Sequence, residues 1–138
     1  MSDVPLPDTL SGGCHCGAVR FQCDVTPPIT AYDCNCSMCR RSSYLHLIVP
    51  MNRFRLLSGE AALVQYTFNT GIARHLFCGT CGIKSFYVPR SNPDSYSVNL
   101  RCIDDLPESA VTIVPFDGRN WEAAMADHGS LGSGPQAS

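Results

Sequence analysis

Nine cysteines stand in a chain of 138 residues, and seven of them fall into three tight groups. The groups are Cys14-His15-Cys16, Cys34-Asn35-Cys36-Ser37-Met38-Cys39 and Cys78-Gly79-Thr80-Cys81, with Cys23 and Cys102 standing apart. An odd count leaves at least one thiol over if the rest form disulfides. The first residues have no basic n-region and no apolar h-region, so the expectation is a cytoplasmic, reducing setting in which structural disulfides are rare. Cys-x-Cys and Cys-x-x-Cys spacings place two sulfurs on one turn, facing one point. That suits a tetrahedral ion with Zn–S bonds of about 2.3 Å. A redox Cys-x-x-Cys of the thioredoxin type wants a βαβ context, and no such pattern occurs here.

Seven thiolates fill one four-coordinate site and leave a vacancy in a second, so two zinc ions per chain are expected. Two pairings compete. In the first, Cys14 and Cys16 join Cys78 and Cys81, while Cys34, Cys36 and Cys39 hold an ion by themselves. In the second, the middle group combines with one outer pair. The first is preferred, because a Cys-x-Cys-x-x-Cys run can occupy three corners of a tetrahedron and each outer pair needs a partner. A closed four-cysteine site is structural in character, and a three-thiolate ion with a free position is catalytic in character. Cys102 and His46 are the residues that would close the second site.

The remaining composition bounds the fold. With 44% hydrophobic and 16% charged residues and a net charge of -2, the chain reads as one globular domain with no electrostatic draw toward nucleic acid or an anionic membrane. No apolar stretch reaches the length of a membrane span. Alternation of apolar and polar residues marks strands over Val19–Val25, Val64–Phe68 and Tyr96–Leu100. Short apolar runs do so at 45–49, 54–57, 73–77, 83–88 and 111–114. Only Arg119–His128, behind an Asp117-Gly118 start signal, reads as helix. The expected organisation is a flexible arm over 1–11, one mainly β domain over 12–128 built of short antiparallel strands with one C-terminal helix, and a disordered Gly/Ser-rich tail over 129–138. Strand edges also leave room for a homodimer.

Three stretches carry a resemblance. Gly13-Cys-His-Cys-Gly-Ala-Val-Arg-Phe21, Asp33-Cys-Asn-Cys-Ser-Met-Cys39 and Phe77-Cys-Gly-Thr-Cys-Gly82 resemble the glutathione-dependent formaldehyde-activating enzymes, a family that also includes centromere protein V. Phe86-Tyr-Val-Pro-Arg-Ser-Asn-Pro93, Cys102-Ile-Asp104 and Asn120-Trp-Glu-Ala-Ala-Met125 look closest to the centromere protein V branch. The resemblance spans about Gly12 to His128. It implies a β-tent fold with two zinc ions, the structural one on Cys14, Cys16, Cys78 and Cys81 and the catalytic one on Cys34, Cys36 and Cys39.

It also implies carbon–sulfur lyase-type chemistry on a glutathione–aldehyde adduct. A free thiol is mostly protonated at neutral pH, and binding at the open position of zinc ionises it. Three thiolates leave the ion only modestly Lewis acidic, which favours transfer of a soft thiolate over activation of water. For an anionic thiol substrate, Arg40, Arg41, Arg90, Asn99 and His46 are the candidate contacts. His15 lies between two ligands and points away from them; His75 and Cys23 read as structural, His128 as the cation at a helix end, and Trp121 with Ala124 and Met125 as helix packing. The alternatives are a non-catalytic zinc module for protein or chromatin interaction and a redox or metal-buffering role for the three-cysteine group.

Overall fold

A computed structural model of the chain describes residues 8–68, 71–106 and 110–128. Two β-sheets dominate it. The smaller has the order β1-β2-β5, from Thr9–Gly13, Arg20–Asp24 and Phe54–Ser58. The larger has the order β10-β3-β4-β9-β8-β7-β6. Its strands are β3 (Ile29–Cys34), β4 (Leu45–Pro50), β6 (Leu63–Tyr66), β7 (Arg74–Cys78), β8 (Phe86–Val88), β9 (Ser95–Asn99) and β10 (Val111–Phe116). The fold is therefore mainly β, as expected, and the pairings are antiparallel with one exception: β10 lies parallel to β3, from Val111 beside Ile29 to Phe116 beside Cys34.

Alternation along the strands decides which face each side chain serves. On β2, Phe21 and Cys23 point inward and are fully buried. On β4, Leu45, Leu47 and Val49 join the same core, while His46 and Ile48 face the other side of the large sheet. Being covered on both faces, β4 is buried without a break from Leu45 to Val49. Aromatic rings seal the sheets together: Phe54 of β5 lies 5.5 Å from Phe21, 4.7 Å from Phe86 and 4.5 Å from Tyr96, centroid to centroid. Each such ring contributes roughly 1.5–3 kcal/mol by leaving water. Gly12 is required by this packing, since a Cβ there would sit 2.3 Å from the Cys102 carbonyl and 2.7 Å from the Phe21 ring.

Two α-helices occur among the described residues. The C-terminal one, α2 (Trp121–His128), follows a 3₁₀ turn at Gly118–Asn120 and packs Ala124, Trp121 and Met125 against Tyr32, Ile48 and Phe116. The other, α1 (Ser37–Ser42), is a short helix that begins inside the middle cysteine group and runs past Cys39, where sequence periodicity marked none. Strand β1 also begins within the stretch expected to be an arm, so residues 9–11 are paired with β2. The rest of that arm up to residue 7 and the tail over 129–138 lie outside the described residues. Among the described residues no helix is long and apolar enough to cross a membrane.

Candidate metal centres and catalytic cavity

The seven grouped cysteines assemble into two clusters, and the pairing is the preferred one. Cys14, Cys16, Cys78 and Cys81 form one, Cys34, Cys36 and Cys39 the other, with every sulfur in a cluster within 4.8 Å of its fellows. All nine cysteines are free thiols. Four ligands at about 2.3 Å around a tetrahedral zinc stand about 3.8 Å apart. The Cys14–Cys16 and Cys16–Cys78 sulfurs stand 3.6 and 3.7 Å apart, so the first cluster matches zinc in ligand type, number and spacing.

The local chain explains these positions. The Val19 amide donates to the Cys14 sulfur at 3.3 Å and the Thr80 amide to the Cys78 sulfur at 3.4 Å. Such knuckles need the chain to turn back sharply, and Gly17 and Gly82 supply it with φ of 86° and 79°. Backbone amides also hold Cys78 and Cys81 below the ordinary thiol range, Cys81 at about 6 through the Cys16 and Ile83 amides. One thiolate is thus ready before a metal arrives, and metal would ionise the others.

The three-cysteine cluster is built differently. β3 delivers Cys34 at its end, Cys36 is the N-cap of α1, and Cys39 sits buried in the first turn of that helix. The Cys39 amide donates to the Cys36 sulfur at 3.4 Å. The Cys34 and Cys39 thiols and this amide all favour charge on Cys36, whose pKa falls far below normal, while those of Cys34 and Cys39 rise. The same physics as in the first cluster therefore concentrates charge on one sulfur. Three mutually close sulfurs from one short run fit zinc with one position left to another ligand.

His46 supports this cluster from β4. Its Nε2 lies 3.0 Å from the Cys39 sulfur, and its Nδ1 lies 2.9 Å from the Ser97 hydroxyl and 3.1 Å from the Tyr87 hydroxyl. With the Tyr87 hydroxyl donating to Nδ1, Nε2–H points at sulfur. Burial lowers the His46 pKa to about 3, so the ring is neutral. It contacts Cys39 but does not stand within mutual ligand distance of all three sulfurs. Cys102 is outside the cluster too; its sulfur faces the Lys84 carbonyl at 3.8 Å.

A strap from the chain's C-terminal part closes the cluster on one side. The Asn35 amide donates to the Phe116 carbonyl at 3.2 Å, its side-chain nitrogen donates to Asp117 at 3.0 Å, and its side-chain oxygen accepts from the Arg119 amide at 3.0 Å. These bonds bring Gly118 against the sulfurs: a Cβ there would stand 2.4 Å from Cys34 Sγ and 3.1 Å from the Cys36 Cβ. Neither Asn35 nor Gly118 was singled out from sequence, since nothing in an Asn between two cysteines or an Asp-Gly helix start announces the other.

On its open side the cluster lines a cavity of about 820 Å³. His46, His75, Tyr87, Arg90, Arg119 and Trp121 share its wall. The Arg90 guanidinium stacks over the Trp121 ring at 3.8 Å, so Trp121 packs the helix and also faces the cavity. Arg40 lines a smaller cleft of about 520 Å³ with Arg101 and Arg119; Cys34 and Cys39 border both spaces. Arg41 folds back onto the Ser37 carbonyl. Asn99 is buried, donating to the Lys84 carbonyl and accepting from the Arg101 amide, and lies away from the cavity wall. The structure also brings in Lys84, Tyr87 and Ser97, which sequence reading did not mark.

Comparison with known proteins agrees with this architecture. A crystal structure of a Rhodobacter sphaeroides protein superposes with a TM-score of 0.69 at 35% identity, over 76% of this chain and 97% of that one. The sequence profile described as glutathione-dependent formaldehyde-activating enzyme matches residues 9–116, a span that holds both clusters and the strands between them. The chain belongs to the glutathione-dependent formaldehyde-activating enzyme family.

Proposed function

We propose that the protein is a zinc-dependent carbon–sulfur lyase-type enzyme that makes or cleaves the adduct of an aldehyde with glutathione or another small thiol. The observation that carries this reading is an asymmetry. The three-cysteine cluster opens into the large cavity, whereas no residue of the four-cysteine cluster lines either described space. A module that only needed metal to fold would have no use for a cavity at one cluster. In this reading Cys14, Cys16, Cys78 and Cys81 hold the structural zinc, and Cys34, Cys36 and Cys39 hold the catalytic one. Bound there, zinc would ionise a substrate thiol at neutral pH.

The chain's own residues do the rest. His46 Nε2 bonds the Cys39 sulfur at 3.0 Å and fixes its direction. The strap at Asp117–Asn120, tied to Asn35, holds Gly118 against the cluster and contributes Gly118, Arg119 and Asn120 to the cavity wall. Arg90, held flat by Trp121, presents a guanidinium to a carboxylate of the substrate, and Arg40 and Arg119 do so in the smaller cleft. Holding thiolate and aldehyde together in one cavity supplies the proximity term. Placement in the centromere protein V branch belongs to this reading and rests on the Phe86–Pro93 and Asn120–Met125 motifs. So does a cytoplasmic location, which suits nine free thiols.

Exchange-transfer NMR on protein with glutathione and formaldehyde tests the reading. Adduct exchange faster than the spontaneous reaction, abolished by Cys36→Ser, is expected. A rate equal to the protein-free control would sink it. Partner binding that survives Cys36→Ser, with no catalysis in the wild type, would favour the non-catalytic module instead.

A further inference from the structure

Lys84 is a buried lysine with no carboxylate partner among the described residues. It lies in the segment between the Cys81 knuckle and β8, 8% exposed, and is absent from the cavity wall. Its ammonium stands 2.6 Å from His75 Nδ1, 4.2 Å from the centre of the Tyr87 ring and 5.1 Å from that of Tyr44. Ring faces attract a desolvated cation, and the three-cysteine cluster is the negative charge this ammonium faces. Burying a charge is costly unless it is paired and hydrogen-bonded, and one buried neighbour in turn takes its own hydrogen bond from this ammonium.

That neighbour is His75. This residue comes from β7, is 5% exposed, and lines the cavity. Its ring is stacked between Phe68, at 5.3 Å and 22°, and Tyr87, at 4.6 Å and 16°. The stack fixes the ring plane. An ammonium has donors and no acceptor, so Nδ1 must accept from Lys84 and the ring proton must sit on Nε2, the nitrogen turned away from the lysine. The groups around the pair are Tyr44, Tyr87, His46 beyond Tyr87, and the three cysteine sulfurs.

We propose that His75 is a further catalytic residue, the proton donor to the oxygen of an aldehyde held in the cavity, and that Lys84 is the positioning residue that fixes its tautomer and refills its proton. The inference rests on the thiol–aldehyde reading. As the substrate thiolate's electron pair forms the C–S bond, the C=O π pair moves to oxygen, and that oxygen takes the proton from Nε2. Nδ1 takes a proton from the Lys84 ammonium. A water proton then returns to Nε2 and the Nδ1 proton returns to Lys84, so the pair is restored. The proton gained by the adduct oxygen matches the one the thiol released on ionising. Adduct cleavage runs the same steps backward. Burial lowers Lys84 to about 8, nearer the working range of a proton relay than an exposed lysine would be; burial also lowers His75 to about 4, which keeps its ring neutral with one proton to give.

Two measurements test the pair. Nitrogen-15 NMR of the histidine rings in the zinc-loaded protein should show His75 protonated at Nε2 with Nδ1 as acceptor, and Lys84→Met should shift the Nδ1 resonance. A wild-type ring protonated at Nδ1 would overturn the assignment whatever the activity. In adduct exchange with glutathione and formaldehyde, His75→Gln should slow turnover about 10²–10⁴-fold while two zinc ions and glutathione binding are retained. Lys84→Met should slow it as well and shift the pH profile, and Lys84→Arg should restore part of the rate. Wild-type turnover with an unaffected His75→Gln variant would overturn this inference alone; a wild type no faster than the control would remove the thiol–aldehyde reading and the inference with it.

Discussion

Replacing Gly118 by alanine adds one methyl group at the tightest contact of the three-cysteine cluster. The new carbon would stand 2.4 Å from Cys34 Sγ. Ordinary nonbonded contact needs about 3.5–4.0 Å, so the strap or Cys34 must move by more than about 1 Å. The strap is not free to yield, because Asn35 holds it through three hydrogen bonds of 3.0–3.2 Å. Each is worth about 1 kcal/mol, and overpacking of this kind costs about 1–3 kcal/mol. Zinc ligands tolerate displacements of only about 0.2 Å. The strain should therefore fall on metal binding at this cluster, at about tenfold in affinity per 1.4 kcal/mol. Competition with a chromophoric chelator should show the second zinc weakened roughly 5–150-fold, while native mass spectrometry shows the first ion retained. Two zinc ions bound with wild-type affinity in a folded Gly118→Ala protein would refute the reasoning, and with it the view that the strap sets the position of Cys34.

Further outcomes are expected. Wild-type protein should carry two zinc ions by native mass spectrometry; Cys14→Ser should impair folding, while Cys36→Ser should lose one ion and stay folded. His75 should make stability depend on acid: its folded pKa of about 4 lies below the ordinary 6.5, chiefly through burial, so its contribution is present above about 6.5 and is lost as pH falls toward 4. About 3 kcal/mol is at stake on the linkage scale, and urea unfolding at pH 7 and pH 5 should show a shallower loss for His75→Gln than for wild type. Lys84 has the opposite relation to function: burial lowers its folded pKa to about 8, so the stability it adds appears only as pH rises through 8 toward 10.5. At pH 7 it is charged in both states and burdens the fold, and Lys84→Met should unfold at no lower urea concentration than wild type despite losing activity.

The cysteine spacings made both clusters legible, because thiolates two or three residues apart have few other uses. The alternation at Phe21/Cys23 marked β2, where buried and half-buried residues alternate; that at Tyr96/Val98 marked β9 through its apolar/polar pattern, although Ser95, Ser97 and Asn99 are buried too. β3 went unmarked because Ile29, Ala31 and Tyr32 are buried in a pattern that does not alternate strictly. Its neighbour β10 was marked by the 111–114 run, but its parallel pairing with a strand some eighty residues away is encoded in no local pattern. α1 was hidden because Ser-Met-Cys-Arg-Arg-Ser is too short for helical periodicity and is held by its cysteine cap. Asn99 seemed a cavity residue from its strand position, but β9 turns it toward the Lys84 carbonyl. Lys84 and His75 were invisible as a pair, since burial of a lysine is a tertiary fact.

The parallel pairing of β10 with β3 also sets an order of events during synthesis. The four-cysteine ligand set is complete once Cys81 has been made, and the three-cysteine set once Cys39 has. The strap that covers Cys34 arrives only with Gly118, about eighty residues after Cys39. At about 5–20 residues per second, the nascent chain carries an unroofed trio of thiols for several seconds. Oxidants and competing soft metals meet that trio before the finished cavity can discriminate, so the newborn chain, more than the folded protein, is where mismetallation of this centre would begin.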